Sequence, residues 1–270
     1  MCRPAHRTGV PTATADDGTT LRYAVAGEGA DPPVALVNDA GFGAWAWGWQ
    51  HEPLAGRRRV VTYDHRGTGD SGAGGATDID TLVGDLSAVL AAADAKPAHL
   101  VGFGLGGAVA MRYARDRGVR SLALVGTCAG DDIDEDGLGR CYPDGADEAA
   151  VRATLPALFS DAFRDADPSL LERVVDWRRA EDARPRARRA QVDAWLDFEP
   201  EPLYELTTPS FVLQGTGDPA VGRRTAERLA EDLPRGRFEA IAGRRLAHVE
   251  SSRPVNDALA AFFDEVDDGG

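Results

Sequence analysis

The chain has 270 residues, 43% of them apolar, enough for one full-sized core. Its formal net charge of -14 excludes a nucleic-acid binder, because phosphate contacts need a basic surface that releases counterions. No stretch approaches the ~20 consecutive apolar residues of a membrane span, and the opening MCRPAHRTGVPTATADDGTT lacks an apolar signal-peptide core, so a cytoplasmic location is expected. Of 30 basic residues only Lys96 is a lysine, and the acids are mostly aspartate, the composition of a hydrated, salt-adapted (halophilic) surface. Cys2, Cys128 and Cys141 fit neither a disulfide framework nor a zinc site, so free thiols, no metal and no cofactor are expected.

In chain order, short apolar runs at Leu21 to Ala26, Val34 to Val37 and Val60 to Tyr63 predict strands, followed by a helix over Thr81 to Ala93. Leu100 to Phe103 predicts a strand, Gly106 to Arg115 a helix, and Ser121 to Val125 a strand. After an interruption, Phe211 to Leu213 and Phe238 to Ile241 predict strands, and Thr225 to Asp232 and Val255 to Val266 helices. Such alternation predicts an α/β fold: a mostly parallel sheet flanked by helices on both faces. Residues 131–206 carry no convincing strand and are read as a helical lid inserted into a core formed by 1–130 and 207–270. Inside that insertion lie an acidic run, Asp131 to Asp136, and a basic run from Arg178 to Arg189, both expected to be solvated or mutually paired. Tyr142, Trp177 and Trp195 are read either as lining a pocket or as packing the insertion onto the sheet, with packing the favoured role.

At the fifth predicted strand the sequence reads His99-Leu-Val-Gly102-Phe-Gly104-Leu105-Gly106-Gly107, an apolar strand running into a helix of small residues. Gly102, Gly104 and Gly107 also satisfy the spacing G-x-G-x-x-G. A dinucleotide site is excluded by context, since the turn is not on the first strand and no acidic residue closes a following strand about 20 residues on. The segment instead resembles the Gly-x-Ser-x-Gly nucleophile elbow of the α/β-hydrolase superfamily. Three further segments carry the resemblance. Asp64-His-Arg66-Gly67-Thr-Gly69-Asp-Ser71 is similar to the family's Asp-x-Arg-Gly-x-Gly-x-Ser, and Ala40-Gly41-Phe42-Gly43 to its His-Gly-x-Gly oxyanion loop, with Trp49 further on. Gly215-Thr-Gly-Asp218-Pro219 resembles the loop that carries the catalytic acid. The lactonase and esterase branch that includes 3-oxoadipate enol-lactonase is the subgroup most similar in pattern.

The resemblance implies an eight-stranded-type sheet and a Ser-His-Asp triad, and the chain departs from that triad. Gly104 stands where the serine belongs, and glycine has no atom that can attack a carbonyl. Asp218 matches the acid. In the pattern Gly-His-x-x-His-Val-Glu, counting back from Glu250 puts Arg245 in the catalytic histidine slot and His248 in the second, supporting one. Ala40 replaces the oxyanion-loop histidine, while the backbone N–H groups of Phe42 and Leu105, in loops flexed by Gly41 and Gly43, match the oxyanion donors. Arg245 could form a forked ion pair with Asp218, or with the two backbone donors make a pocket for a carboxylate. The expected function is therefore a pseudoenzyme with a degenerate triad that binds a small molecule, a carboxylate or an ester or lactone, without hydrolysing it. The alternative is an enzyme lacking a covalent nucleophile, in which Asp218 and His248 activate water or abstract a proton beside the oxyanion hole. Cys128, Asp39, His65 and Asp70, also in strand-end loops, are weaker nucleophile candidates.

Overall fold

Eight strands form one sheet: β1 (Thr12–Thr14), β2 (Thr20–Ala26), β3 (Asp31–Val37), β4 (Arg58–Tyr63), β5 (His99–Phe103), β6 (Ser121–Val125), β7 (Ser210–Gly215) and β8 (Gly236–Ile241). The computed structural model describes residues 10–145 and 147–269; Cys2 lies outside them. The order across the sheet is β1-β2-β4-β3-β5-β6-β7-β8, with β1 and β2 antiparallel to their neighbours and every pair from β4 to β8 parallel. Central strands read as continuous apolar runs because both faces are covered; every residue of β5, β6 and β7 is buried. Only β1 has no counterpart in the sequence-based expectation, since three residues are too few for an alternation to register.

Helices α1 (Ile79–Ala92) and α2 (Leu105–Asp116) cover one face together with α9 (Arg223–Asp232). In α1, Leu82, Val83, Leu86, Val89 and Leu90 recur at helical spacing and are buried, and the Asp78 carboxylate caps the first turn by accepting the Thr81 N–H at 2.7 Å. On the other face Val101 and Phe103 of β5 pack with Leu259 and Phe263 of the C-terminal α11 (Ser252–Asp268). The short α10 (Ala247–Glu250) precedes α11.

Among the described residues between β6 and β7 there are helices and no strand: α3 (Glu135–Gly139), α4 (Glu148–Ala153), α5 (Leu155–Leu158), α6 (Asp161–Ala166), α7 (Pro168–Glu181) and α8 (Pro185–Leu196). Their starts are written in the sequence, because Asp134, Asp147, Ser160 and Asp167 each cap a first turn through the side chain, and Pro168 and Pro185 occupy first helical positions. The basic run is not wholly solvated. Arg178 is buried, pairing with Asp182 at 2.8 Å and donating to the Cys141 carbonyl at 3.1 Å. Arg179 and Arg189 do pair at the surface, with Glu148 at 3.5 Å and Asp193 at 2.8 Å.

Candidate functional site

Parallel strands deliver their carboxyl ends to one edge of the sheet, the edge where α/β proteins place their chemistry. Three loops meet there: Asn38 to Gly43 after β3, the turn at Gly104 after β5, and the segment from Gly126 after β6. Asp218 after β7 and the Gly243 to His248 segment after β8 complete the ring.

Gly104 joins β5 to α2 at φ 53°, ψ -119°, a backbone region that L-residues enter only under strain. The elbow turn is therefore present in its strained form. Its flanking glycines are fixed by contact rather than torsion: a Cβ on Gly102 would lie 2.4 Å from the Gly106 carbonyl oxygen, and one on Gly106 would lie 2.2 Å from that of Val37.

The space beyond the elbow is filled by charge. Arg245 closes a fork on Asp39, with Nη2 and Nε at 2.6 and 3.2 Å from Oδ2. Its Nη1 donates to Asp218 Oδ2 at 2.9 Å and to the Gly126 carbonyl at 2.7 Å. All three side chains are sealed, with exposures of 0, 0 and 1% for Arg245, Asp39 and Asp218. The forked pair expected with Asp218 does not form: two donors converge on the single oxygen Asp39 Oδ2, and Asp218 receives one bond. Asp39 was a weak nucleophile candidate on sequence and is instead a buried counterion. Burial pushes its carboxyl up, opposed by the Arg245 charge and by N–H donors. The Phe103 and Trp195 rings flank the guanidinium, their centroids 4.6 and 5.2 Å from Cζ.

Each carboxylate is fully satisfied. Asp39 Oδ1 accepts the N–H groups of Ala40 at 2.8 Å and Leu105 at 3.0 Å. Asp218 accepts those of Ala220 at 2.8 Å and Val221 at 3.3 Å and the Gln214 amide at 3.2 Å. The Leu105 N–H expected to serve an oxyanion therefore already faces an anion, the protein's own. The Phe42 N–H turns to the Asp39 carbonyl at 3.4 Å. Both donors are thus engaged by Asp39 in this arrangement.

His248 sits apart from the acid. Its Nε2 lies 3.3 Å from the Ala46 carbonyl, its Nδ1 has no partner among the described residues, and its ring packs at a tilt against those of Trp47 and Phe103 at centroid distances of 4.7 Å. Burial lowers its pKa to about 3, which leaves a neutral, weakly basic ring. The Asp218 to His248 hydrogen bond required by a water-activating mechanism is not formed, because Arg245 holds that carboxylate.

The helical segment clamps the loop after β3. The Gln191 side chain accepts the Gly41 N–H at 2.6 Å and donates to the Arg66 carbonyl and Thr68 hydroxyl, both at 2.9 Å. Tyr142 donates to the Ala40 carbonyl at 2.9 Å, and Asp182 accepts the Gly43 N–H at 3.2 Å and the Trp45 indole at 2.7 Å. Trp177 and Trp195 pack as expected, Trp177 against Trp45 and Trp49 and Trp195 with its indole donating to the Cys128 carbonyl at 3.2 Å. Cys128 is buried, as is Cys141, whose thiol burial pushes up to about 12. His65 is buried against the Asn38 carbonyl at 2.8 Å, and Asp70 pairs at 3.6 Å with Arg22. Asp39 and Gln191 are the residues whose roles sequence reasoning missed. An aspartate placed directly after a buried strand, in a chain with an arginine in the histidine slot, was the available signal.

A model of the alpha/beta hydrolase family matches residues 34–258. The chain belongs to this family. The 3-oxoadipate enol-lactonase 1 of Acinetobacter baylyi is 25% identical over 253 residues, covering 92% of this chain and 95% of that protein. The rhodomycin D methylesterase DnrP of Streptomyces peucetius is 28% identical over 263 residues, covering 84% and 88%. The crystal structure of the enol-lactonase from Burkholderia xenovorans LB400 superposes with a TM-score of 0.83 at 24% identity, covering 94% of this chain and all of that one, and so supports the fold. Among the described residues no helix of this family member is long and apolar enough to cross a membrane.

Proposed function

We propose that this member of the alpha/beta hydrolase family is non-hydrolytic and binds a small molecule beneath or beside its helical lid, residues 131–206. One observation carries the reading. A Cβ on Gly104 would lie 2.0 Å from Asp39 Oδ1 and 2.4 Å from Arg245 Nη2. The buried ion pair occupies the volume of a nucleophile side chain, so glycine, the aspartate and the arginine form one mutually dependent set. Turnover through a serine would require all three to change together. Removing a triad nucleophile in a well-studied protease costs about a millionfold in turnover, and here there is also no unoccupied base beside the acid. The water-activating alternative has less support, because Asp218 is held by Arg245 and His248 bonds to the Ala46 carbonyl.

The test combines labelling and reversal. The parent protein should resist a fluorophosphonate serine probe and leave p-nitrophenyl acetate unhydrolysed beyond the His248→Ala background. Gly104→Ser with Arg245→His should stay inert while Asp39 remains, and adding Asp39→Ala should permit labelling and an esterase rate at least ~10-fold above the double variant. Hydrolysis by the parent that disappears in His248→Ala would hand the reading to the alternative.

A further inference from the structure

A groove of about 410 Å³ lies within the helical segment, between α3 with the Tyr142–Asp144 turn and the length of α8. That volume suits a small molecule. Its apolar lining comes from Leu138, Val192 and Leu196, and Tyr142 and Arg188 also line it. The groove is separate from the sealed elbow but rests on the same loop. Tyr142 donates to the Ala40 carbonyl, and the Arg188 Cγ and Cδ would lie 3.0 and 3.1 Å from a Cβ on Gly41.

Arg188 stands out among the groove's charges. Its guanidinium lies 5.4 Å over the Tyr142 ring and gives one hydrogen bond, from Nη2 to the Pro143 carbonyl at 3.1 Å. It is half-buried, and among the described residues no carboxylate lies within ion-pair distance of it. The other cation of the groove, Arg189, already holds Asp193 at 2.8 Å. At the rim Glu135 and Asp144 are exposed and negative. One partly desolvated guanidinium with donors to spare, beside an apolar lining and inside an acidic rim, selects for a single negative charge attached to an apolar body. A guanidinium matches a carboxylate with two parallel hydrogen bonds, whereas phosphates and other polyanions would meet the rim carboxylates.

We propose that this groove binds amphipathic monocarboxylates, the carboxylate on Arg188 and an aryl or alkyl chain along Leu138, Val192 and Leu196. The site goes beyond the family reading, since it uses no residue of the elbow, and it gives the chain a ligand position that the filled catalytic space does not. The probe is 4-phenylbutyrate, titrated calorimetrically into the full chain and followed in parallel by the shift in Tm, with 4-phenylbutyramide as its neutral counterpart. Saturable binding is expected, weakened at least ~10-fold for the amide and for Arg188→Gln, which loses the charge-assisted pair. Val192→Glu, which leaves Arg188 in place and adds a carboxylate to the apolar lining, should weaken it comparably, and Arg186→Gln, at an exposed neighbouring position, should not. Equal affinity for acid and amide, no saturable binding of the acid, or an equal loss in Arg186→Gln would overturn the assignment. Ester hydrolysis by the parent would break the non-hydrolytic reading and leave the Arg188 dependence standing.

Discussion

The two ends of the sheet each hold a cluster of aspartate and arginine, and they differ in what surrounds the charge. At the amino ends of the strands, Arg58 pairs with Asp267 at 2.5 Å and Asp264 at 2.7 Å, and Arg120 reaches Asp267 at 2.6 Å. His99 bridges Ser121 at 2.8 Å and Asp267 at 3.3 Å. This cluster opens to solvent, with 16% of Asp267 and 33% of Arg120 exposed, and it ties α11 to the strands. At the carboxyl ends, one arginine serves two carboxylates with no exposure to relax them. Similar residue types act as a partly solvated latch at one end and as a sealed filling at the other. The lesson is that an ion pair's consequence follows from its burial: taking away one partner matters most where solvent cannot replace it.

The sharpest way to break this comparison is Arg245→Ala. It strands two buried carboxylates and should destabilise the protein by about 3–5 kcal/mol in denaturant unfolding. A loss below ~1 kcal/mol would mean that water already reaches the cluster. Next is Gly104→Ser. The positive φ alone costs about 1–3 kcal/mol, and contact with Asp39 and Arg245 adds to it, so a loss of about 3 kcal/mol is expected. In an Asp39→Ala background the same substitution should cost less, because the two positions are coupled through one volume; simple additivity in the double-mutant cycle would refute that.

The two histidines sharpen the comparison by pH. Burial lowers His248 to about 3 and His99 to about 4, both below the ordinary value of 6.5. A base with a depressed folded pKa favours the native state fully above its unfolded pKa, and that contribution is lost as pH falls from about 6.5 towards the folded value. Stability should thus drop by about 2 kcal/mol per histidine between pH 7 and pH 5. His248→Gln should remove its own share, about 2 kcal/mol, from this drop, and NMR titration should find the His248 ring neutral throughout that range. The smallest effect belongs to Arg120→Ala. Its partner Asp267 keeps Arg58 and partial solvent access, so less than about 1 kcal/mol should be lost.

Much of this molecule was legible in its sequence. Apolar runs against helical spacing defined the strands from β2 to β8 and the flanking helices, most plainly at β5 to β7, where burial on both faces forces a continuous apolar run. The glycines around residue 104, the Asp218 loop and the offset of Arg245 from His248 were equally visible, since motif spacing follows from chain connectivity. What the chain order could not contain was the partner of Arg245. A guanidinium on a long side chain can reach either of two acids, and Asp39 and Asp218 come from strands far apart in sequence. Only the tertiary structure brings Asp39 between the Leu105 N–H and Arg245, at the place where a residue 104 side chain would stand. Residue order alone puts a glycine, Gly104, at the turn between β5 and α2. Packing decided that the space is filled, because burying Arg245 required a carboxylate within reach and Asp39 supplied it.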